Sequence, residues 1–298
     1  MPKKFSRYAL RITHYALLLV CAAIFFAGNA HADDKWYWLY ADDRYSKFFE
    51  PNSVKVEKKI VTGDGREIPI EIEAWTKTSY TYEGAAETIK NYGIANILPD
   101  PNALSYSVAL LKINPQNRTL QYAREDFYNA KDEVIWSKGE GRVKEINSQS
   151  FDEDFYCAIV DEVFNFNETE HKIAEDRWIE LYSYTNANGE TVNLTADTTT
   201  MRLKGSNLVL WEWETTKNSA GQTMQIRFMK KAVNLTQGTE VIKDGKIWTP
   251  TNAWHELVDE NDGAYRMIKS DEPDYKGLVR LRAYAKSNSR WICRYSLD

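Results

Sequence analysis

Alternation of apolar and polar residues dominates this chain and predicts β-strands. Along Ile68–Ala74 every second residue is apolar, while Glu71 and Glu73 occupy other positions, which is typical of a strand with one buried face. By the same parity Trp75 falls on the glutamate face, so it is predicted to be exposed or displaced by a bulge. The run Trp36–Tyr40 is aromatic on both faces, which indicates a strand covered on both sides.

Two longer runs predict an antiparallel pair. Leu104–Ile113 and Arg118–Tyr128 are rich in apolar and aromatic residues. The segment Asn114-Pro115-Gln116-Asn117 joins them and has the composition of a turn.

One segment has helical spacing instead. Ser150-x-x-Glu153 has the form of a capping box, with acidic residues at the positive end of the helix dipole. Apolar residues then recur at helical intervals from Phe151 to Val163, and this stripe is expected to lie on the sheet. Cys157 falls off the centre of the stripe.

The second half of the chain repeats the order of the first. Trp178–Tyr182 resembles the opening run Trp36–Tyr40, and Leu208–Trp213 resembles Ile70–Trp75. This pattern has two interpretations. Either the chain contains an imperfect internal duplication, or its halves share only the aromatic strands that are common among β-domains.

The end of the chain reads as further strands. Tyr265–Tyr284 follows the order of Tyr106–Tyr128, Asp244-Gly245 signals a two-residue hairpin, and Lys286–Ser289 reads as a final hairpin. The predicted fold is mainly β (α+β): two related antiparallel β-sheet domains, the first backed by a C-terminal helix and the second lacking it.

The N-terminus has the three parts of a secretory signal peptide. Four basic residues precede the apolar run Tyr15–Ala27, and small residues at Ala30 and Ala32 suit a peptidase that cleaves after Ala32. An uncleaved anchor is the alternative, but the run is shorter than the roughly 18–20 residues of a membrane span. Cys21 is a poor lipid-attachment site, because apolar residues flank it on both sides. We therefore expect export to the periplasm, the outer membrane or the medium.

The expected organisation has four parts. Residues 1–32 form the signal peptide, 33–165 the first β-domain, 166–176 an acidic linker and 177–298 a second, divergent β-domain.

Charge excludes one class of partner. Cleavage would remove four basic residues and no acidic one, which changes the net charge from −5 to −9. A chain this acidic has no general attraction for nucleic acid. The rest of the sequence has no apolar run long enough for a transmembrane span.

Two cysteines remain after cleavage, Cys157 and Cys293. In an oxidising compartment they are candidates for a disulfide, and the alternative is two separate buried thiols.

The first half resembles a known family. Tyr106–Ile113, a turn and Arg124–Tyr128 resemble the core of the surface-adhesin protein E family of Gram-negative bacteria. Phe49–Val54 resembles the entry segment of that family, and Phe151–Val163 with Cys157 resembles its terminal helix, which also carries a cysteine. The likeness covers residues 36–165 and falls off over 177–298.

This resemblance implies a small antiparallel sheet backed by a helix, displayed on the outer membrane and binding host matrix glycoproteins. The family's helix cysteine pairs with a strand cysteine, and the matching position here is near Asn114-Pro115. The resemblance therefore leaves Cys293 as the candidate partner of Cys157. The family's binding residues have no motif to align, so none is carried over.

The sequence lacks the usual signatures of catalysis. The mature chain has only His171 and His255, neither beside a nucleophile motif, and it contains no His-Glu-x-x-His, Cys-x-x-Cys or phosphate-binding Gly-Lys-Ser/Thr loop. Asp259–Gly263 departs from a calcium loop and reads as a turn. We predict no catalytic residue, no cofactor and no metal site.

The expected function is an exported, non-enzymatic binding or structural protein of the cell envelope, an adhesin-like surface protein being one form, with a protein or glycan partner. A β-barrel carrier would instead have an apolar cavity, and a carboxylate-based hydrolase would have a cleft where carboxylates or His255 converge. Glu140, between two glycines, is a lone catalytic candidate. A binding protein would expose an aromatic or charged patch, with Trp75 as the first candidate.

Overall fold

The computed structural model describes residues 35–164, 176–258 and 263–294, which form two antiparallel sheets of eight and seven strands with helices packed on them. The mainly β prediction is therefore confirmed. The predicted signal peptide with Ala30 and Ala32, and all of the predicted linker except Asp176, lie outside the described residues.

The first sheet has the order β1-β2-β4-β5-β6-β7, with β3 also paired to β4 and β8 also paired to β6. Its strands are β1 Tyr37–Ala41, β2 Tyr45–Phe49, β3 Lys55–Val61, β4 Glu67–Tyr80, β5 Tyr106–Asn114, β6 Thr119–Tyr128, β7 Val134–Lys138 and β8 Lys144–Glu145. Two helices accompany it, α1 Tyr82–Tyr92 and α2 Glu153–Phe164. The predicted pair over 104–128 and the predicted helix after residue 150 are both present.

The second sheet has the order β9-β10-β11-β12-β13-β14, with β15 also paired to β13. Its strands are β9 Trp178–Thr185, β10 Thr191–Lys204, β11 Asn207–Lys217, β12 Thr223–Asn234, β13 Thr239–Trp248, β14 His255–Glu256 and β15 Arg266–Met267. Helices α3 Pro273–Ser287 and α4 Ser289–Ile292 follow.

The two sheets share one strand order, which supports the predicted repeat. β10 corresponds to β2 and β3 together, because it pairs with both ends of β11 as those two strands pair with both ends of β4. β8 and β15 pair with the start of β6 and of β13, and each precedes a helix, α2 or α3. The halves differ most where α1 joins β4 to β5, since only a short turn joins β11 to β12.

Helix α3 overturns the prediction that the second domain lacks its helix. Residues 273–287 are helical, not a strand and hairpin. Pro273 occupies the first turn, where its missing N–H is no loss. Leu278, Leu281 and Ala285 then recur at helical spacing and are buried in the second core.

Three local predictions are also wrong. The Asp244-Gly245 pair is not a hairpin but lies inside β13 beside a bulge, where the pairing register shifts. Strand β1 is not covered on both sides: it is an edge strand, and Tyr37, Trp38 and Tyr40 are exposed on it. Trp75 lies on the glutamate face, as its parity predicts, but it is half-buried rather than exposed.

A buried ionic cluster connects helix α2 to the second sheet. Arg118 and Arg177 both contact Glu153 in the first turn of α2, with the Arg177 guanidinium 2.8 Å from the carboxylate. Arg177 also lies 2.6 Å from Asp197 of β10, which accepts a hydrogen bond from Ser148. Because Glu153 and Asp197 are fully desolvated, these contacts fix how α2 meets the second sheet.

Candidate functional site

The inner face of β11 changes from apolar to polar along its length. Leu208 and Leu210 are buried in the second core, and the residues that follow at the same parity are Glu212, Glu214 and Thr216. α3 packs against β9 and closes the apolar core at one end of the sheet. The polar end of the same face lines a cavity.

This cavity, the second-sheet cleft, encloses about 800 Å³. Its walls come from strands β9 to β15, from the segment after β14 and from the start of α3. The lining residues are Tyr182, Tyr184, Val192, Glu214, Thr216, Gln225, Arg227, Lys231, Glu240, Ile242, Ile247, His255, Glu256, Leu257, Val258, Arg266, Pro273 and Asp274. A volume of this size is typical of a small-molecule site.

Ion pairs form the floor of the second-sheet cleft, and Glu212 lies beneath this floor rather than in the lining. The Lys231 ammonium lies 3.0 Å from the Glu212 carboxylate and 3.2 Å from that of Glu240, and all three residues are buried. Arg266 contacts Glu240 as well, and its guanidinium lies 2.5 Å from the Asp274 carboxylate. The floor is thus a chain of alternating charges that neutralise one another.

The pKa values on this floor follow from burial and pairing. Burial raises the pKa of Glu212 to about 7, against the opposing effect of Lys231. Burial would lower the pKa of Lys231, but Glu212 and Glu240 outweigh it and hold that pKa above its ordinary value. Burial also works to raise the pKa of Asp274, and Lys231, Tyr182 and Arg266 reverse this to keep it low. Glu212, beneath the floor, can therefore change charge near neutral pH.

The mouth of the cleft is more accessible than its floor. Arg227 pairs with Glu214 across β11 and β12, with 3.4 Å between the charged atoms, and both are half-buried. Tyr184 is half-buried, and His255 is exposed on β14. Together they present a ring, an imidazole and paired charges to solvent, which suits hydrogen bonding to a polar ligand.

The structure places two of the three residues considered for catalysis, His255 and Glu140, and only His255 lines the cleft. His255 does line a cleft with carboxylates, which is what the hydrolase alternative predicts. Glu140 is exposed and accepts a hydrogen bond from Gln121 without lining this cleft. His171 lies outside the described residues.

The two cysteines are not joined in the structure, which has the second of the two expected alternatives, separate thiols. Cys157 and Cys293 are both free thiols, and each packs against a different hydrophobic core, Cys157 with the first sheet and Cys293 with the second. Burial raises the pKa of the Cys157 thiol to about 12, so it stays protonated and unreactive. Trp75 is half-buried on its strand, whereas the edge strand β1 exposes three aromatic residues, Tyr37, Trp38 and Tyr40.

Sequence reasoning missed the cleft, although a signal was present. Leu208 and Leu210 set the buried parity of β11, and Glu212 and Glu214 continue that parity. Acidic residues at core positions need partners, and Lys231 at a core position of β12 is the matching cation. Trp211 and Trp213, which alternate with these glutamates, lie on the other face of β11, where Trp211 stacks on Phe228.

Within the described residues no group of three or more His, Cys, Asp or Glu side chains is placed to hold a metal ion. None of the helices there is long and apolar enough to cross a membrane. Comparison with known protein families and with curated proteins finds no match to this chain.

Proposed function

We propose that this chain is an exported, non-enzymatic binding protein of the cell envelope, and that the second-sheet cleft is its ligand site. The observation that carries the proposal is the cleft itself, about 800 Å³ in volume, with charged and hydroxyl groups converging on it. Cavities with a few convergent polar groups are where small ligands and exposed segments of partners bind. A polar segment of a protein or glycan is the class of ligand that fits.

The pairing of the carboxylates favours binding over hydrolysis. Glu212, Glu214, Glu240 and Asp274 each form an ion pair with a lysine or arginine. Paired charges of this kind hold a fixed geometry and recognise polar groups. In a glycoside hydrolase, two carboxyl groups instead face each other across the substrate, one as general acid and the other as base or nucleophile.

Two further observations support a binding role. A small antiparallel sheet backed by a helix is the fold that the resemblance to the surface-adhesin protein E family implies, and each half of the chain has it. The apolar-carrier alternative needs an apolar cavity, whereas charged side chains line the second-sheet cleft. The signal peptide remains the sequence basis for export.

The test is a binding experiment with a cleft variant. Intact cells are first treated with protease to establish whether the native protein is surface-exposed. The purified protein is then immobilised and titrated with laminin, fibronectin and peptidoglycan. Arg227→Ala, at the mouth of the cleft, should weaken binding by about tenfold, while Arg290→Ala, an exposed arginine on α4, should not change it.

Failure to bind any of these probes, from a protein shielded from protease, would refute the adhesin-like form of the proposal. Equal loss in both arginine variants would remove the cleft as the site.

A carboxylate-based hydrolase is the second candidate, because Glu214, Asp274 and His255 all line the second-sheet cleft. Hydrolysis of chromogenic glycosides by the wild-type protein, lost in Glu214→Gln and kept in Glu162→Gln, an exposed carboxylate on α2, would establish it. No turnover by the wild type would leave binding as the function.

A further inference from the structure

The first sheet has a cavity of its own, which the proposed function does not use. This first-sheet cleft encloses about 390 Å³ between the polar end of the sheet, helix α1 and the segments 141–144 and 151–152. The size suits a ligand much smaller than a protein segment. α1 covers part of the sheet face here, because Glu87, Thr88, Asn91 and Tyr92 of that helix all line the cavity.

A carboxylate lies at the base of this cavity. Glu125 is 5% exposed and accepts hydrogen bonds from the hydroxyls of Tyr92 and Ser107, the latter over 3.1 Å. No lysine or arginine in the described parts of the chain forms an ion pair with it. Lys138, the register partner of Glu125 on β7, acts on this carboxylate through its charge without forming an ion pair with it. A ligand ammonium group that reached Glu125 would be attracted strongly, because the dielectric around a buried carboxylate is low.

The walls of the first-sheet cleft are rich in tyrosine, and two lysine side chains of the protein lie over tyrosine rings there. Tyr45, Tyr80, Tyr92 and Tyr122 all line the cavity. The Lys138 ammonium lies 4.5 Å from the centre of the Tyr92 ring, and that of Lys144 lies 4.9 Å from the centre of the Tyr122 ring. Tyrosine faces attract cations through the negative face of the ring.

The rim carries the opposite charge to the base. Lys138 and Arg142 are exposed at the mouth, and Lys144 beside them is paired with Asp152 over 2.5 Å. Glu87 and Asp152 also line the cavity, but each is paired with a cation, Arg44 or Lys144. Lys138 and Arg142 therefore give the mouth a positive charge, and Glu125 gives the base a negative one.

We propose that the first-sheet cleft binds a small zwitterion, an α-amino acid or the equivalent end of a short peptide derivative, with its ammonium group at Glu125 and its carboxylate at Lys138 and Arg142. The tyrosine rings would contact its apolar side chain. Opposite charges separated in depth along one cavity match the two charges of such a ligand, and neither charge alone would satisfy both ends.

The experiment is a calorimetric titration of the protein recovered from the cell envelope. The probes are L-phenylalanine, L-leucine, 2-phenylethylamine, which lacks the carboxylate, and 3-phenylpropanoate, which lacks the ammonium. We expect both amino acids to bind, and each singly charged analogue of phenylalanine to bind about tenfold or more weakly.

Variants separate the two ends of the cavity. Glu125→Gln should weaken L-phenylalanine and 2-phenylethylamine by about tenfold and leave 3-phenylpropanoate unchanged. Lys138→Ala with Arg142→Ala should weaken L-phenylalanine and 3-phenylpropanoate and leave the amine unchanged. Glu162→Gln, an exposed carboxylate on α2, is the matched control and should change nothing.

The proposal is overturned if neither amino acid binds, if 2-phenylethylamine binds as tightly as phenylalanine, or if Glu125→Gln leaves phenylalanine affinity intact. Because the two rim residues are exposed, their variants keep the test valid if Glu125→Gln misfolds. Arg227→Ala should leave amino-acid binding unchanged, so the result stands apart from the function proposed for the second-sheet cleft.

Discussion

The two halves of this chain share one topology, but the buried polar side chains on their inner sheet faces have different kinds of partner. The second-sheet cleft is built from charges, with Lys231 between two glutamates and Arg266 linking Glu240 to Asp274. The first-sheet cleft is built from hydroxyls around one carboxylate, Glu125. It is also about half the size, 390 against 800 Å³.

The size difference has a visible cause in the chain. α1, inserted between β4 and β5, lies over the polar end of the first sheet, while a short turn leaves the same end of the second sheet open. One ion pair occurs in both halves. It joins a basic residue of the two-residue strand, β8 or β15, to an aspartate eight positions later. Lys144 pairs with Asp152 and Arg266 pairs with Asp274, each aspartate at the start of its helix. A repeated fold can thus carry two different ligand chemistries.

The largest expected effect comes from removing the lysine of the second-sheet cleft. Lys231→Met would leave Glu212 and Glu240 buried beside each other, and an uncompensated buried charge costs about 3–5 kcal/mol of unfolding free energy. Lys138→Met at the rim of the first-sheet cleft should cost less than about 0.5 kcal/mol, because that side chain is exposed. Urea unfolding of both variants checks this, and equal losses would contradict the contrast between the clefts.

The next effect depends on pH. The pKa of Glu212 is raised from 4.5 to about 7 in the folded protein, so the folded state holds this proton more tightly than the unfolded chain. Stability from this group is therefore present below about pH 4.5 and is lost as the pH rises to about 7, by about 3 kcal/mol.

Glu212→Gln removes that dependence. The difference in unfolding free energy between wild type and variant should shift in favour of the variant between pH 4.5 and 7. Glu256→Gln, an exposed carboxylate at the mouth of the same cleft, is the control. A difference that stays constant with pH would show that Glu212 titrates normally.

A third prediction concerns the helix that narrows the first-sheet cleft. Gly84 of α1 packs so closely on the β1–β2 connection that an added Cβ would lie 2.1 Å from the Arg44 carbonyl oxygen. Gly84→Ala should therefore displace α1 and cost about 1–3 kcal/mol. Gly93→Ala is unsuitable as a control because its backbone is left-handed, so Ala86→Ser, at a half-buried position of the same helix, serves instead. Thermal unfolding measures both, and an unchanged melting temperature in Gly84→Ala would contradict the close packing.

The smallest expected effect is the loss of one tyrosine hydroxyl that donates to a buried carboxylate, compared between the two clefts. Tyr92→Phe removes one of two hydroxyl donors to Glu125 and should cost about 1–2 kcal/mol. Tyr182→Phe removes a donor from Asp274, which keeps Arg266, and should cost less, about 0.5–1 kcal/mol. Denaturant unfolding of the two variants compares them, and the reverse order would mean that the first cleft does not depend on its hydroxyls.

Much of the fold follows from residue patterns. The alternation along Ile68–Ala74 and the turn after Asn114 predicted β4, β5 and β6, because each of these strands has one face in the hydrophobic core. The sequence did not reveal that Asp244-Gly245 would lie inside a strand beside a bulge, since strand pairing outweighs a local turn preference. The helix α3 was missed because aromatic residues in Tyr265–Tyr284 suggested strands, although Pro273 and the spacing of Leu278 and Leu281 indicate a helix.

The candidate site was harder to predict, for a physical reason. Glu212, Lys231 and Arg266 lie on three different strands, and only the pairing register brings their charges together. Periodicity shows that Glu212 occupies a core position, but it does not show which cation meets it. Exposure was likewise set by strand order: Trp75 lies on a central strand and is half-buried, whereas Trp38 lies on an edge strand and is exposed.

The most direct test of the central claim is to block the second-sheet cleft and measure binding. His255→Cys, at the exposed mouth, is made with Cys157→Ala and Cys293→Ala and modified with a bulky reagent that forms a reducible disulfide. The account predicts that modification abolishes binding of laminin, fibronectin or peptidoglycan, and that reduction restores it. Tyr82→Cys, modified in the same way on the first half, should bind normally. Binding that persists with the cleft blocked would contradict the claim that this cleft is the ligand site.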